Sequence, residues 1–180
     1  MIQVVIGATV GFALGAAIAT RAPEAPSSLP KIPGLKKSHW ILFCSRMAKS
    51  RPSLKTPTGK LGVFQMSPRR LEDLGLVRKT DRSMSGIWTA IWREPFSEAS
   101  FLASPRLQYT AFLKSCRRYL SPATAARGKI VDGKPVTISG ALGVLHMAGE
   151  TGLLSWIKDP KVRKKFSNTT DVFLSTNGVF

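Results

Sequence analysis

The sequence predicts a mainly α-helical domain with one small β-hairpin, carried behind a single amino-terminal transmembrane helix. Three observations lead there. Residues 2–20 contain no charged side chain, and only Gln3, Thr9 and Thr20 are polar. Ser67-Pro68 and Ser104-Pro105 each precede a stretch with helical apolar spacing; a capping serine followed by proline at the first helical position is a start signal. Between Ile130 and Ile138, β-branched residues flank Asp132-Gly133, a pairing that favours a tight hairpin turn.

Taken in order, residues 1–20 form the transmembrane unit. At a rise of ~1.5 Å per residue this run just crosses a hydrocarbon core of ~30 Å. Gly7, Gly11 and Gly15 recur at every fourth position, a glycine zipper along one helix face that lets another transmembrane helix approach closely. The small-x-small Ala17-Ile18-Ala19 suits a signal-peptide cleavage site, but no Lys or Arg precedes the apolar run, so an anchor is expected. The neighbouring positive charges, Arg21, Lys31, Lys36 and Lys37, all follow the span, which places that side in the interior compartment. Residues 21–37 carry prolines at 23, 26, 30 and 33 and read as a semi-rigid, extended stalk.

Residues 38–180 make the folded domain. Ser38 is expected to cap a helix through Lys49 with Trp40, Ile41, Phe43, Cys44 and Met47 on a broad apolar face. A loop over 51–58 follows, then the helix from Pro68, with Leu71 and Leu74 inward and Gly75 ending it. Residues 80–86 read as loop, and Ile87, Trp88, Ile91 and Trp92 as an aromatic patch. The helix from Pro105 to Leu120 turns Leu107, Ala111, Phe112, Cys116 and Tyr119 to one side. After the hairpin, Ser139 is expected to cap a helix that breaks at Gly149, restarts at Thr151 and runs through Lys158. A short basic turn from Pro160 to Lys165 follows.

Lys and Arg number 27 against 10 Asp and Glu, a formal net charge of +17. From Lys31 to Lys79 only Glu72 and Asp73 oppose twelve basic residues. Such a field implies an anionic partner: lipid headgroups, an acidic envelope polymer, or nucleic acid held non-specifically. No helix-turn-helix, zinc-finger or RNP pattern argues for specific nucleic-acid readout. Phosphate-loop, dinucleotide and Ser-His-Asp signatures are likewise missing. Cys44 and Cys116 sit among apolar residues at spacings that suit neither a metal site nor a disulfide framework. Buried free thiols are expected, with a single bridge as the alternative; no cofactor or metal is expected.

Two stretches carry a family resemblance. Gly59–Leu74 reads GKLGVFQMSPRRLEDL, and Ile138–Ile157 reads ISGALGVLHMAGETGLLSWI. With VDGKPVT before the second and FLSTNGVF at the end, they resemble the lysozyme-like domain of phage and bacterial lytic transglycosylases over roughly residues 40–180. The resemblance implies that Gly59, Gly62, Phe64, Gln65 and Met66 form the loop lining a glycan cleft, with a Leu-rich helix bearing His146 closing it. Read from the residues alone, Phe64 and Met66 belong to a core, whereas Gln65, polar between apolar neighbours, needs a partner and is the better cleft residue. Gln65 and His146 are therefore the candidate substrate-binding residues.

The resemblance also exposes a departure. The family's catalytic glutamate should lie ten to thirteen residues before the loop glycine, yet residues 40–58 contain no acid; the matching position holds Lys49, or Arg51 in another register. Cleaving a glycosidic bond requires a carboxylic acid held neutral in an apolar pocket. Glu150, beside the helix break, is the weak substitute. The expected protein is membrane-anchored and transglycosylase-like but without glycosidase activity, engaging peptidoglycan or serving as a structural component of a virion or cell envelope. Two alternatives stand beside it: a structural subunit of a large membrane assembly on a degenerate scaffold, and an active enzyme with a displaced acid. Transmembrane packing through Gly7, Gly11 and Gly15 fits each of them.

Overall fold

The computed structural model describes residues 36–48, 52–82 and 88–180. The expected transmembrane segment with Gly7, Gly11 and Gly15, residues 21–35 of the expected stalk, Lys49 and Arg51 lie outside these. Among the described residues no helix is long and apolar enough to cross a membrane.

The chain is mainly helical with small antiparallel sheets. Helix α1 (Lys37–Met47) buries Trp40, Phe43, Cys44 and Met47; Ile41, expected on the same face, is exposed instead, because it lies about 100° round the helix from that i, i+3, i+4, i+7 stripe. The helix starts one residue before the expected cap: Lys36 is the N-cap and no side chain caps the helix. Helix α2 (Pro68–Asp73) begins as expected, with Ser67 accepting from the Arg70 amide, and Gly75 follows with φ +74°. The expectation of one hairpin is corrected here. Strand β1 (Val77–Arg82) pairs antiparallel with β2 (Trp88–Trp92), so residues read as loop and aromatic patch form a second two-stranded sheet. The sequence VRKTDR hides β1 because it has no apolar alternation. Its strand form depends on backbone pairing with β2, and an irregularity between Val77 and Lys79 shifts the register.

Helix α3 (Glu98–Ala103) leads into α4 (Pro105–Arg118), capped by Ser104, and Tyr119 turns the chain into α5 (Leu120–Ala126). The expected hairpin follows as β3 (Ile130–Val131) and β4 (Lys134–Pro135). Asp132 and Gly133 both have positive φ, the turn geometry that matches strand twist. Helix α6 (Ile138–Lys158) is interrupted at Gly149, where φ is 71° and ψ −174°. The short α7 (Pro160–Lys165) and α8 (Ser167–Thr176) complete the chain.

Thr137, rather than Ser139, caps α6. Its hydroxyl accepts from the Gly140 and Gly178 amides and bonds the Asn177 carboxamide oxygen. Ser139 lies inside the first turn, fully buried, donating to the Phe180 carbonyl and accepting from the Phe180 amide. These contacts fasten the carboxyl terminus to α6. Thr137→Val is expected to lower stability by about 1–2 kcal/mol in chemical denaturation, since it removes a cap and a terminal clasp together.

The core sits between α1, α4, α6 and α8. Phe112 stacks on Phe43 at 5.9 Å and on Phe64 at 4.0 Å. Helices α6 and α8 meet closely because Gly143 has no side chain; a Cβ there would lie 2.6 Å from Thr176 Oγ1. Cys44 and Cys116 are buried free thiols, so no bridge joins them. Burial pushes the Cys44 thiol up to about 12 and the Cys116 thiol well above its ordinary value, which keeps both protonated and unreactive.

Candidate functional site

The loop of residues 59–66 folds as a turn closed on itself. Leu61 and Met66 exchange backbone hydrogen bonds of 3.0 and 2.9 Å, and the Gln65 amide donates to the Gly62 carbonyl. Gly62 has φ +70° and Gln65 φ +49°, so the turn uses one glycine and one strained residue. Val63, Phe64 and Met66 point into the core. The residue-based reading of Phe64 and Met66 as core thus holds, although Phe64 also bounds a small pocket beside the loop.

One buried side chain holds this loop in place, and sequence reasoning missed it. Gln108 on α4 is 1% exposed. Its Oε1 accepts from the Val63 amide at 2.9 Å, and its Nε2 donates to the carbonyls of Pro52, Phe101 and Leu102 at 3.0, 2.9 and 3.3 Å. A Cβ on Gly62 would collide with the Gln108 carboxamide. A signal was present: Gln108 lies four residues before Phe112, in the buried stripe of α4, where a polar group must be fully partnered.

His146 closes the other side. Its Nε2 lies 2.7 Å from the Phe64 carbonyl oxygen. A carbonyl can only accept, so Nε2 carries the proton and Nδ1 presents a lone pair. Nδ1 is enclosed and has no partner. Part of the residue reaches solvent, but both nitrogens are engaged or shut away. Burial drives the imidazole pKa down from 6.5 to about 4; the Phe64 hydrogen bond opposes this, and the nearby Arg70 and Lys60 charges add to it. The ring is a neutral strut between α6 and the loop, with Phe112 edge-on at 5.1 Å.

Between these walls runs a groove of two lobes. The larger, about 480 Å³, is lined by Gln65, His146 and Glu150 together with Lys60, Arg69, Arg70, Asp73, Arg118 and Tyr119. The smaller, about 310 Å³, is bounded by Met47, Phe64, Asn168 and Asp171. Lys60, Gln65, His146 and Met147 line both. The structure therefore brings together all three candidate residues, Gln65, His146 and Glu150. It also places the end of α1 at the groove, through Met47, two residues before Lys49, the position matched to the family's acid.

The larger lobe is strongly basic. Arg70 is partly buried, its Nη2 donates to the Leu145 carbonyl at 3.2 Å, and its guanidinium lies 4.3 Å over the Tyr119 ring. Nη1 is enclosed without a partner. Burial lowers the Arg70 pKa, and Arg118 does so too, while Asp73, Cys116 and Glu150 raise it. Neither Arg70 nor Arg118 was singled out from sequence, because charged residues on a helix usually mark a solvated face. Among the described residues no group of three or more His, Cys, Asp or Glu could hold a metal ion. The carboxylates on the groove, Asp73, Glu150 and Asp171, are all exposed.

No family model matches the chain, and neither curated proteins nor solved structures yield a significant match.

Proposed function

We propose that this is a membrane-anchored, lysozyme-like protein that holds a glycan strand in its groove without cleaving it. The observation that carries the reading is a groove joining Gln65 to His146 whose carboxylates all face solvent. A glycosidase acid must be kept neutral by an apolar enclosure, and Glu150 has none. His146 is no replacement, because its proton is committed to the Phe64 carbonyl. Gln65 offers an amide donor and acceptor at the junction of the two lobes, suited to sugar hydroxyl and acetamido groups. The anchor, the envelope or virion location and the packing through Gly7, Gly11 and Gly15 rest on the sequence of residues 1–20.

A structural subunit would be favoured by a groove filled by its own side chains; the described side chains leave both lobes open. Incubating the full chain with purified peptidoglycan sacculi tests the reading. Co-sedimentation without muropeptide release is expected. Release that is lost in Glu150→Gln would establish a displaced acid, and absence of both release and co-sedimentation would favour the structural subunit.

A further inference from the structure

We propose that the larger lobe is a subsite for an oxyanion, a carboxylate or phosphate substituent, centred on Arg70 and flanked by Arg69, Arg118 and Lys60. The fold supplies its own comparison for what a structural arginine looks like. Arg163, more deeply buried than Arg70, has its fork occupied: Nε and Nη2 donate to the Asp132 carboxylate at 3.2 and 2.9 Å, and Nη1 to the carbonyls of Trp156 and Ile157. Arg70 has one carbonyl at 3.2 Å, the face of Tyr119, and an Nη1 with nothing. No carboxylate lies within 4 Å of it among the described ion pairs. A guanidinium partly withdrawn from water without a carboxylate in contact is costly, and that cost is relieved when an oxyanion enters.

The surroundings point the same way. Four cations, Lys60, Arg69, Arg70 and Arg118, line the larger lobe against two carboxylates, Asp73 and Glu150. His146 contributes no charge at neutral pH. The smaller lobe carries Lys60 against Asp171 and has no such excess. The preference for negative charge is therefore confined to one end of the groove. Guanidinium groups suit this ligand because their planar fork matches carboxylate and phosphate oxygens. Seating the anion requires Nη1 to turn toward the lobe, a movement opposed by the 3.2 Å hydrogen bond to Leu145 and the contact with the Tyr119 ring. That the anion is carried on a glycan rests on the proposed function; the oxyanion site itself does not.

The test is calorimetric titration of the full chain in zwitterionic detergent at neutral pH. The probes are inorganic phosphate, glycerol phosphate, a disaccharide bearing the muramic carboxylate, that disaccharide as its methyl ester, and neutral chitotetraose. Inorganic phosphate is expected to bind at one site and to weaken about tenfold in Arg70→Gln. Because Arg70 also packs on Tyr119, the exposed pair Arg69→Gln/Arg118→Gln is a second variant, expected to weaken phosphate binding. Lys161→Gln/Lys164→Gln on α7, away from the lobe lining, controls for the general positive charge. Stronger binding of the acid disaccharide than of its ester supports a carboxylate source, and stronger binding of glycerol phosphate a phosphate source. Phosphate affinity equal in wild type and both groove variants, or reduced as much by the α7 control, overturns the inference. Phosphate binding without chitotetraose binding keeps the oxyanion site and removes the glycan reading; chitotetraose binding without anion binding does the reverse.

Discussion

Gln108→Leu should destabilise the domain by about 3 kcal/mol, read as a lower denaturation midpoint with an unchanged slope. The reason is the asymmetry of buried hydrogen bonds. The leucine fits the volume but leaves the Val63 amide without an acceptor and strips a donor from the Pro52, Phe101 and Leu102 carbonyls. Each stranded buried group costs about 1–3 kcal/mol. The loss has a second signature. Amide exchange at Val63 should accelerate more than at Leu142 in the middle of α6, because the groove loop opens before the core does. Unchanged stability, or uniform loss of protection across both sites, would show that Gln108 is not what fixes the loop.

The second large effect is a dependence on pH. His146 is neutral in the fold down to about pH 4, whereas in the unfolded chain it titrates near 6.5. Between those values the unfolded state binds the extra proton, so stability falls as the pH is lowered from about 6.5 to 4. It is unaffected by this group above that window and falls no further through it below. A shift of this size corresponds to as much as ~3 kcal/mol. Burial is the main cause, and the Arg70 and Lys60 charges facing the ring reinforce it. Carboxylates elsewhere also titrate at the acid end, so the informative quantity is the difference from His146→Gln, which keeps a donor but cannot take up a proton. The wild type should lose stability relative to that variant through the window. Parallel curves would mean that the ring is protonated without penalty.

Both predictions concern residues that hold the groove loop in place, and they show where the sequence was readable. The helix starts at Ser67-Pro68 and Ser104-Pro105, the Asp132-Gly133 turn and the break at Gly149 were legible because each is decided within four residues. Strand β1 was not, since its polar residues form a strand only by pairing with β2. The cap of α6 was misassigned by two positions for a related reason. Thr137 and Ser139 are both competent caps locally, and it is the return of Asn177, Gly178 and Phe180 that gives each its role.

The candidate site divides in the same way. Gln65 and His146 stood out as polar residues among apolar neighbours, and the fold brings them to one groove. Arg70 did not stand out, because the arginines at 69 and 70 are indistinguishable in sequence. Only the packing of α2 against Tyr119 and α6 leaves one exposed and the other half-buried over an aromatic ring. The sequence by itself determined the helical class, the local starts and stops, the basic charge and the lack of an acid across residues 40–58. The tertiary structure alone decided which polar groups became struts, which became groove walls, and which half-buried cation was left without a carboxylate in contact. Local signals act through neighbouring backbone, whereas burial and charge pairing are set by segments far apart in the chain, such as those of Trp40 and Phe180, that meet only in the folded core.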